Sequence, residues 1–262
     1  MRLRRARTFD EIAELYDRGR RLLPDQLFDD VFARSGIEPR GANVLEIGCG
    51  TGQATAPLAE RGCRLVCVEM GANLARFTRE KLGALPNVTV IRTRFEDFDP
   101  EGVAFDLVFA SNAWHWLDPR TRYAKAAALL RPAGVLAFTT SRHAFPPAFD
   151  PFFAEIQDCY EAIGEARLAW PPPRPEEVPD AREEIETSGC FEGVQTLRYV
   201  WSEDFSADEY IAMISTASDH RIMAPDKRDR LFAEMRRLIH RRPNGRVRRH
   251  MLAILQIARK RS

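Results

Sequence analysis

Eight residues carry the first chemical signal. Leu45-Glu46-Ile47-Gly48-Cys49-Gly50-Thr51-Gly52 sets three glycines at alternate positions behind a short apolar run. Between a strand and a helix, such a loop lets a ligand approach strand ends and helix amides without meeting a Cβ. The spacing discriminates between ligands. A dinucleotide loop, G-x-G-x-x-G, needs its third glycine at 53, where this chain has Gln53. A phosphate loop ending in G-K-[ST] is absent. Glu69 lies 19 residues after Gly50 and ends the next apolar run. A carboxylate there can accept from both hydroxyls of a ribose. Further on, Ala113-Trp114-His115-Trp116 follows a fourth apolar run. His115 is the candidate general base, because imidazole titrates near working pH. Equally, His115 can hold the loop or touch a cofactor beside Trp116, and both readings stay open.

The elements that position these residues follow from periodicity. Helical spacing over residues 8–36 is interrupted at Pro24-Asp25, which predicts two helices. Apolar runs at 43–47, 64–68, 88–91, 105–109 and 135–138 predict five strands. Helical patterns at 53–61, 72–82 and 120–130 fall between them. This alternation, with short connections, predicts a parallel sheet covered by helices on both faces. Beyond residue 140 the rhythm changes. A helix is expected at 149–163, a stiff connector at Trp170-Pro-Pro-Pro-Arg-Pro175 with acidic residues to 186, and a strand at 194–201. A helical region at 206–240 and a last strand at 251–257 complete the reading.

The G-x-G-x-G spacing, with Glu46 two positions before the first glycine, resembles the class I S-adenosylmethionine (SAM) methyltransferases. Their loop holds a methionine tail rather than a pyrophosphate. Arg94-Phe95-Glu96-Asp97-Phe98 resembles the family's adenine-binding segment, although many relatives carry Asp where this chain has Arg94. There Phe95 would supply an amide and packing, and Glu96 would accept from the exocyclic amine. Arg131-Pro132-Ala133-Gly134-Val135 resembles the turn into strand five, with Ala133 in place of the usual glycine. The Ala-Trp-His-Trp string resembles the small-molecule branch related to trans-aconitate methyltransferases. Neither an Asn/Asp-Pro-Pro-aromatic tetrapeptide nor a Pro-Cys nucleophile is present. Phe9-Asp10 to Arg20 resembles that branch's N-terminal cover, with Arg21 replacing a proline, and 205–221 resembles its late cover.

The resemblance implies a Rossmann-like α/β fold: a seven-stranded, mostly parallel sheet, an antiparallel last strand and a helical lid. It implies a helical cover at 1–36, a SAM-binding core at 37–141, and substrate-cover helices with the last two strands at 142–262. The cofactor set it implies is Tyr16, Arg20, Glu46, Gly48, Cys49, Gly50, Gly52, Gln53, Glu69, Met70, Phe95, Glu96, Asn112, Ala113 and Trp116. Tyr16 and Arg20 would reach the methionine end of SAM. Trp114, Arg142, His143, His220 and Arg221 would flank the substrate. The implied activity is methyl transfer from SAM to a small molecule by direct in-line displacement, leaving S-adenosylhomocysteine.

Composition bounds the alternatives. The chain has 262 residues, 45% hydrophobic, with 39 Lys+Arg against 38 Asp+Glu. This belongs to a globular protein with a full core, not to a disordered chain. No run is apolar enough to span a bilayer, and the Arg-rich start lacks the apolar segment of a signal peptide. A cytoplasmic location, with no membrane partner, is expected. Five Cys without paired spacing argue against a disulfide framework and against a zinc site, and no metal is expected. Between Lys227 and Arg249 stand ten basic and two acidic residues. That stretch raises an RNA or protein methyltransferase as an alternative, but aromatic interleaving is sparse and Arg is frequent throughout. A non-catalytic SAM-binding module is the other alternative. A monomer and a homodimer are equally compatible with the sequence.

Overall fold

The computed structural model describes residues 10, 17, 23–165 and 172–261, with Ser218 described by its backbone alone. Asp10 and Asp17 are helical. Helix α1 (Asp25–Ser35) starts after Pro24 and ends at Gly36, whose φ of +71° lets its amide reach back to the Phe32 carbonyl. The core then alternates β1 (Asn43–Ile47), α2 (Thr55–Glu60), β2 (Arg64–Glu69), α3 (Ala72–Leu82), β3 (Val88–Arg92), β4 (Phe105–Ser111), α4 (Arg122–Leu129) and β5 (Leu130–Ala144). The later part comprises α5 (Phe152–Ala162), α6 (Arg182–Thr187), β6 (Phe191–Ser206), α7 (Ala207–Ser215), α8 (Ser218–Ile222), α9 (Pro225–His240) and β7 (Arg246–Lys260).

One seven-stranded sheet has the order β3-β2-β1-β4-β5-β7-β6. The first five strands run parallel, and β7 is antiparallel to both β5 and β6. Alternation along the strands divides the core between two faces. Leu107 and Phe109 of β4 pack with Leu27, Phe28 and Val31 of α1. Val108 and Ala110 face the other way, with Tyr123, Ala126 and Leu129 of α4 and Ile185 of α6. A third apolar cluster joins Phe152, Tyr210, Leu231 and Met235, and it builds the cover from α5, α7 and α9.

Departures from the sequence reading have local causes. Strand β5 runs well past 138, because its second half pairs with β7 from Thr140↔Ile254 to Ala144↔His250. Both β6 and β7 are longer than expected for the same reason. The helical region 206–240 divides into three helices. Ala217 and Ala224 are extended, with ψ near 136° and 135°, and Pro225 disfavours a helical residue before it. A capping box starts α7: Ser206 Oγ accepts from the Glu209 amide, and Glu209 Oε2 accepts from the Ser206 amide. The acidic connector contains α6. Strand β3 lies at the sheet edge and is half-exposed, so it is not the doubly covered strand that its apolar run suggested.

Candidate active site

The strand order changes direction between β1 and β4, so the loops leaving these strands diverge and open a crevice at their carboxyl ends. Two cavities lie there. The smaller, about 270 Å³, is walled by Gly48, Gly50, Glu69, Phe95, Asn112 and Trp116, among others. The larger, about 640 Å³, lies toward the cover helices. They share Ser111, Asn112 and Ser141.

The glycine loop bends tightly under the smaller cavity. Gly48 donates to the Val68 carbonyl at 2.8 Å, and the Gly50 amide donates to Glu69 Oε2 at 3.0 Å. Gly50 has a φ of +58°, and a Cβ built there meets no atom within 4 Å, so it would project into the cavity. A Cβ at Gly52 would instead meet Leu82 Cδ1 at 2.7 Å, so that glycine serves the packing of α3. Glu69 is buried, and its second oxygen accepts from the Gly71 amide at 2.8 Å. Burial raises its carboxyl above the ordinary value, against these two amide bonds, which lower it. Each oxygen retains a lone pair, so the carboxylate can still accept two hydroxyls. Asp10 reinforces this corner: its Oδ1 accepts from the Asn73 and Leu74 amides at 2.7 and 2.9 Å, capping α3.

Opposite, Phe95 is buried in the wall and Glu96 joins it. Glu96 is held from two sides, with Oε1 accepting from the Asp118 amide at 3.3 Å and Oε2 lying 3.3 Å from the Arg94 guanidinium. Asn112 has a left-handed φ of +53°, a conformation that Asn tolerates. Its side chain clasps β5: Oδ1 accepts from the Ser141 amide at 2.6 Å and Nδ2 donates to Ser141 Oγ at 3.2 Å. The partition between the two cavities is therefore hydrogen-bonded across β4 and β5.

The expected site residues fall into groups. Gly48, Gly50, Glu69, Met70, Phe95, Glu96, Asn112, Ala113, His115 and Trp116 line the smaller cavity. Arg142, His143 and His220 line the larger one. Tyr16 and Arg20 lie outside the described residues. Six residues sit elsewhere than the sequence expectation placed them, Gly52 among them because it packs against α3. Gln53 lines the larger cavity and not the smaller. Glu46 and Cys49 are buried behind the loop and line neither cavity; Glu46 Oε2 accepts from Thr55 Oγ1 at 2.6 Å. Trp114, expected against substrate, stacks on Phe138 with ring centroids 4.9 Å apart and is buried below the site. Arg221 lies outside both walls, one helical step beyond His220.

His115 faces the smaller cavity beside Trp116, with ring centroids 4.7 Å apart, while His143 faces the larger. Arg122 fixes the turn that carries His115: its guanidinium donates to the Trp114 carbonyl at 2.8 Å and pairs with Glu184 of α6. Sequence reasoning missed Thr93, Ser111 and Ser141. Ser111 ends β4, Thr93 directly follows β3 and Ser141 lies two residues past the last parallel pair of β5, all where such crevices form, so the signal was available. It also missed Arg249 and Trp201, which reach the larger cavity from β7 and β6.

Residues 44–134 match the family model described as methyltransferase domain. Over that stretch the chain is similar to methyltransferase domains. An uncharacterised methyltransferase of Mycobacterium tuberculosis H37Rv is 30% identical over 129 residues, 49% of this chain and 50% of that protein. A trans-aconitate 2-methyltransferase of Azoarcus sp. BH72 is 34% identical over 122 residues, 45% of this chain and 46% of that one. The chain spans about half the length of the curated relatives it matches. A structure titled as a putative type II methyltransferase of Anaeromyxobacter dehalogenans superposes with a TM-score of 0.61 at 22% identity, covering 92% of this chain and 97% of that one. The fold is that of the class I methyltransferases, with the seven-stranded mixed sheet and covering helices described above. Among the described residues, no helix is long and apolar enough to cross a membrane. No group of three or more His, Cys, Asp or Glu among them is arranged to hold a metal ion.

Proposed function

We propose that the chain transfers a methyl group from SAM to a small-molecule acceptor. The observation that carries this reading is the pair of cavities meeting at Ser111, Asn112 and Ser141, the smaller built on the glycine loop. The residues there fit SAM. Glu69 faces the cavity with acceptor sites for a ribose, Phe95 and Glu96 offer a flat apolar surface with a carboxylate, and the Gly50 Cβ position is open. When bound, SAM supplies an electrophilic methyl carbon on a sulfonium. Asn112 and Ser141 then set the aperture through which acceptor and methyl meet. Holding reacting atoms about 3–3.5 Å apart in a closed site can supply roughly 7–11 kcal/mol of a barrier. Trp116 and Leu117 exclude water from that approach. His115 acts as an orienter rather than a base, because it faces the cofactor side of the partition.

The cover helices α5, α7, α8 and α9 serve as the substrate cover over the 37–141 core. A small acceptor is favoured over RNA because the Arg-rich stretch is largely internally balanced. Arg236 pairs with Asp208, Arg237 with Glu234, Arg242 with Asp150, Arg246 with Glu209 and Arg248 with Asp204. A cytoplasmic enzyme is the reading consistent with free cysteines and with the described helices. The test is calorimetric titration with SAM, S-adenosylhomocysteine and NAD. Micromolar binding of the first two and none of NAD is the expected result, followed by transfer of labelled methyl to acceptors. NAD binding alone would overturn the assignment.

A further inference from the structure

The larger cavity is long, and its two ends differ in chemistry. Phe153, Ile156, Gln157 and Tyr160 lie at helical spacing on one face of α5 and line it. At 1.5 Å per residue they span about 10 Å. The near end is fixed by His143, whose ring meets Phe153 edge-on with centroids 4.2 Å apart and which sits two residues from Ser141 on β5. At the far end, the Tyr160 hydroxyl is hydrogen-bonded to His220 Nε2 at 2.9 Å. Strand β7 runs along the opposite wall. Ala253 pairs with Ser141 and Met251 with His143, so Arg249 shares their face. It lies about 13 Å along the strand from the Ser141 level. Its guanidinium enters the cavity wall beside the Met213 sulfur.

Between these ends the wall is mainly aromatic and apolar, with Phe145, Trp201, Phe205 and Tyr210 among its residues. Among the described residues, the charged side chains on it are Arg142, Arg249 and Asp219, two positive and one negative. Positive charge is felt by His143, which is pushed down to about 2 by burial first and then by Arg249 and His250. That imidazole stays neutral at any working pH, so it offers hydrogen bonding and ring surface rather than base catalysis. A cationic acceptor would meet Arg249 and like charge.

We propose that the acceptor is an elongated, mainly aromatic molecule bearing one negative charge, bound with its anionic group toward Arg249 and its methyl-accepting atom at the Asn112–Ser141 partition. The volume of about 640 Å³ suits a drug-sized molecule. The acceptor role rests on the methyl-transfer reading above; the preference for an aromatic anion does not. The test uses 8-anilinonaphthalene-1-sulfonate and its uncharged counterpart N-phenyl-1-naphthylamine, titrated by fluorescence into the full chain saturated with S-adenosylhomocysteine. The sulfonate is expected to bind at one site, at least tenfold tighter than the amine. Arg249→Gln should weaken the sulfonate at least tenfold and the amine less than twofold. Arg249→Lys should restore most of the sulfonate affinity, which a misfolded variant would not. Phe153→Ala should weaken both probes. Equal binding of the two probes, or sulfonate binding unchanged in a folded Arg249→Gln, would overturn the proposal. Calorimetry of S-adenosylhomocysteine on the same samples keeps the two readings apart: its loss with the probe pattern intact defeats methyl transfer alone.

Discussion

Glu46 lies at the centre of β1 with about 1% of its surface exposed, and it accepts from Thr55 Oγ1 and Cys67 Sγ at the same oxygen. Burial is the largest influence on it and pushes its carboxyl from 4.5 up to about 7, with Thr55 and Cys67 opposing. The folded state therefore binds a proton that the unfolded chain has released between those two values. Stability falls as pH rises through that window, because the ionised group must be kept buried. At one pH unit per 1.36 kcal/mol, the loss reaches about 3 kcal/mol above pH 7. Glu46→Gln removes the titration and keeps a carbonyl oxygen for Thr55. Urea unfolding of both proteins at pH 5 and pH 8 reads the effect. The variant should match the parent within about 1 kcal/mol at pH 5 and exceed it by about 3 kcal/mol at pH 8, on the order of 6–12 °C in melting temperature. A stability difference independent of pH, or a variant weaker at pH 8, would refute the assignment of a protonated Glu46.

Other expectations follow from particular contacts. Gly50→Val should lower S-adenosylhomocysteine affinity at least a hundredfold by calorimetry, because the side chain would enter the smaller cavity from a left-handed backbone. His115→Ala should retain cofactor affinity within about tenfold and lose less than 10³ in turnover with an identified acceptor; a larger loss would make His115 a base. Arg122→Leu should cost about 2 kcal/mol in urea unfolding, less than for a fully buried pair because Glu184 is half-exposed, and should also weaken cofactor binding through the Trp114–Trp116 turn. Ala133 holds a φ of +60°, so Ala133→Gly should stabilise by about 1 kcal/mol; no gain would place the strain elsewhere.

Much of the core was legible because its signals are local. The bounds of β1 and α3 follow directly from the apolar run at 43–47 and the helical spacing at 72–82. The glycine loop was legible through spacing alone, since positive φ and close approach select glycine wherever they occur. Ala133 shows the same rule by its breach: the turn requires a left-handed residue even where the chain supplies alanine. The cover was less legible. Helical spacing continues through 206–240, and only the backbone shows the breaks at Ala217 and Ala224.

The sequence by itself determined the sheet's parallel half, the ligand loop, and the carboxylates and aromatics that surround it. These depend on residues within one strand–loop–helix unit. Only the tertiary structure decided that there are two cavities, and which side of the partition each residue faces. Trp114 and Trp116 are two positions apart, yet one is packed under the site and the other lines it. His115 and His143 look alike in sequence but face different cavities. Arg249 lies more than a hundred residues from Ser141 and reaches the same crevice because β7 runs antiparallel, bringing its early residues to the carboxyl ends of the other strands. Burial, charge neighbours and strand direction are properties of segments brought together from afar, and no local pattern encodes them.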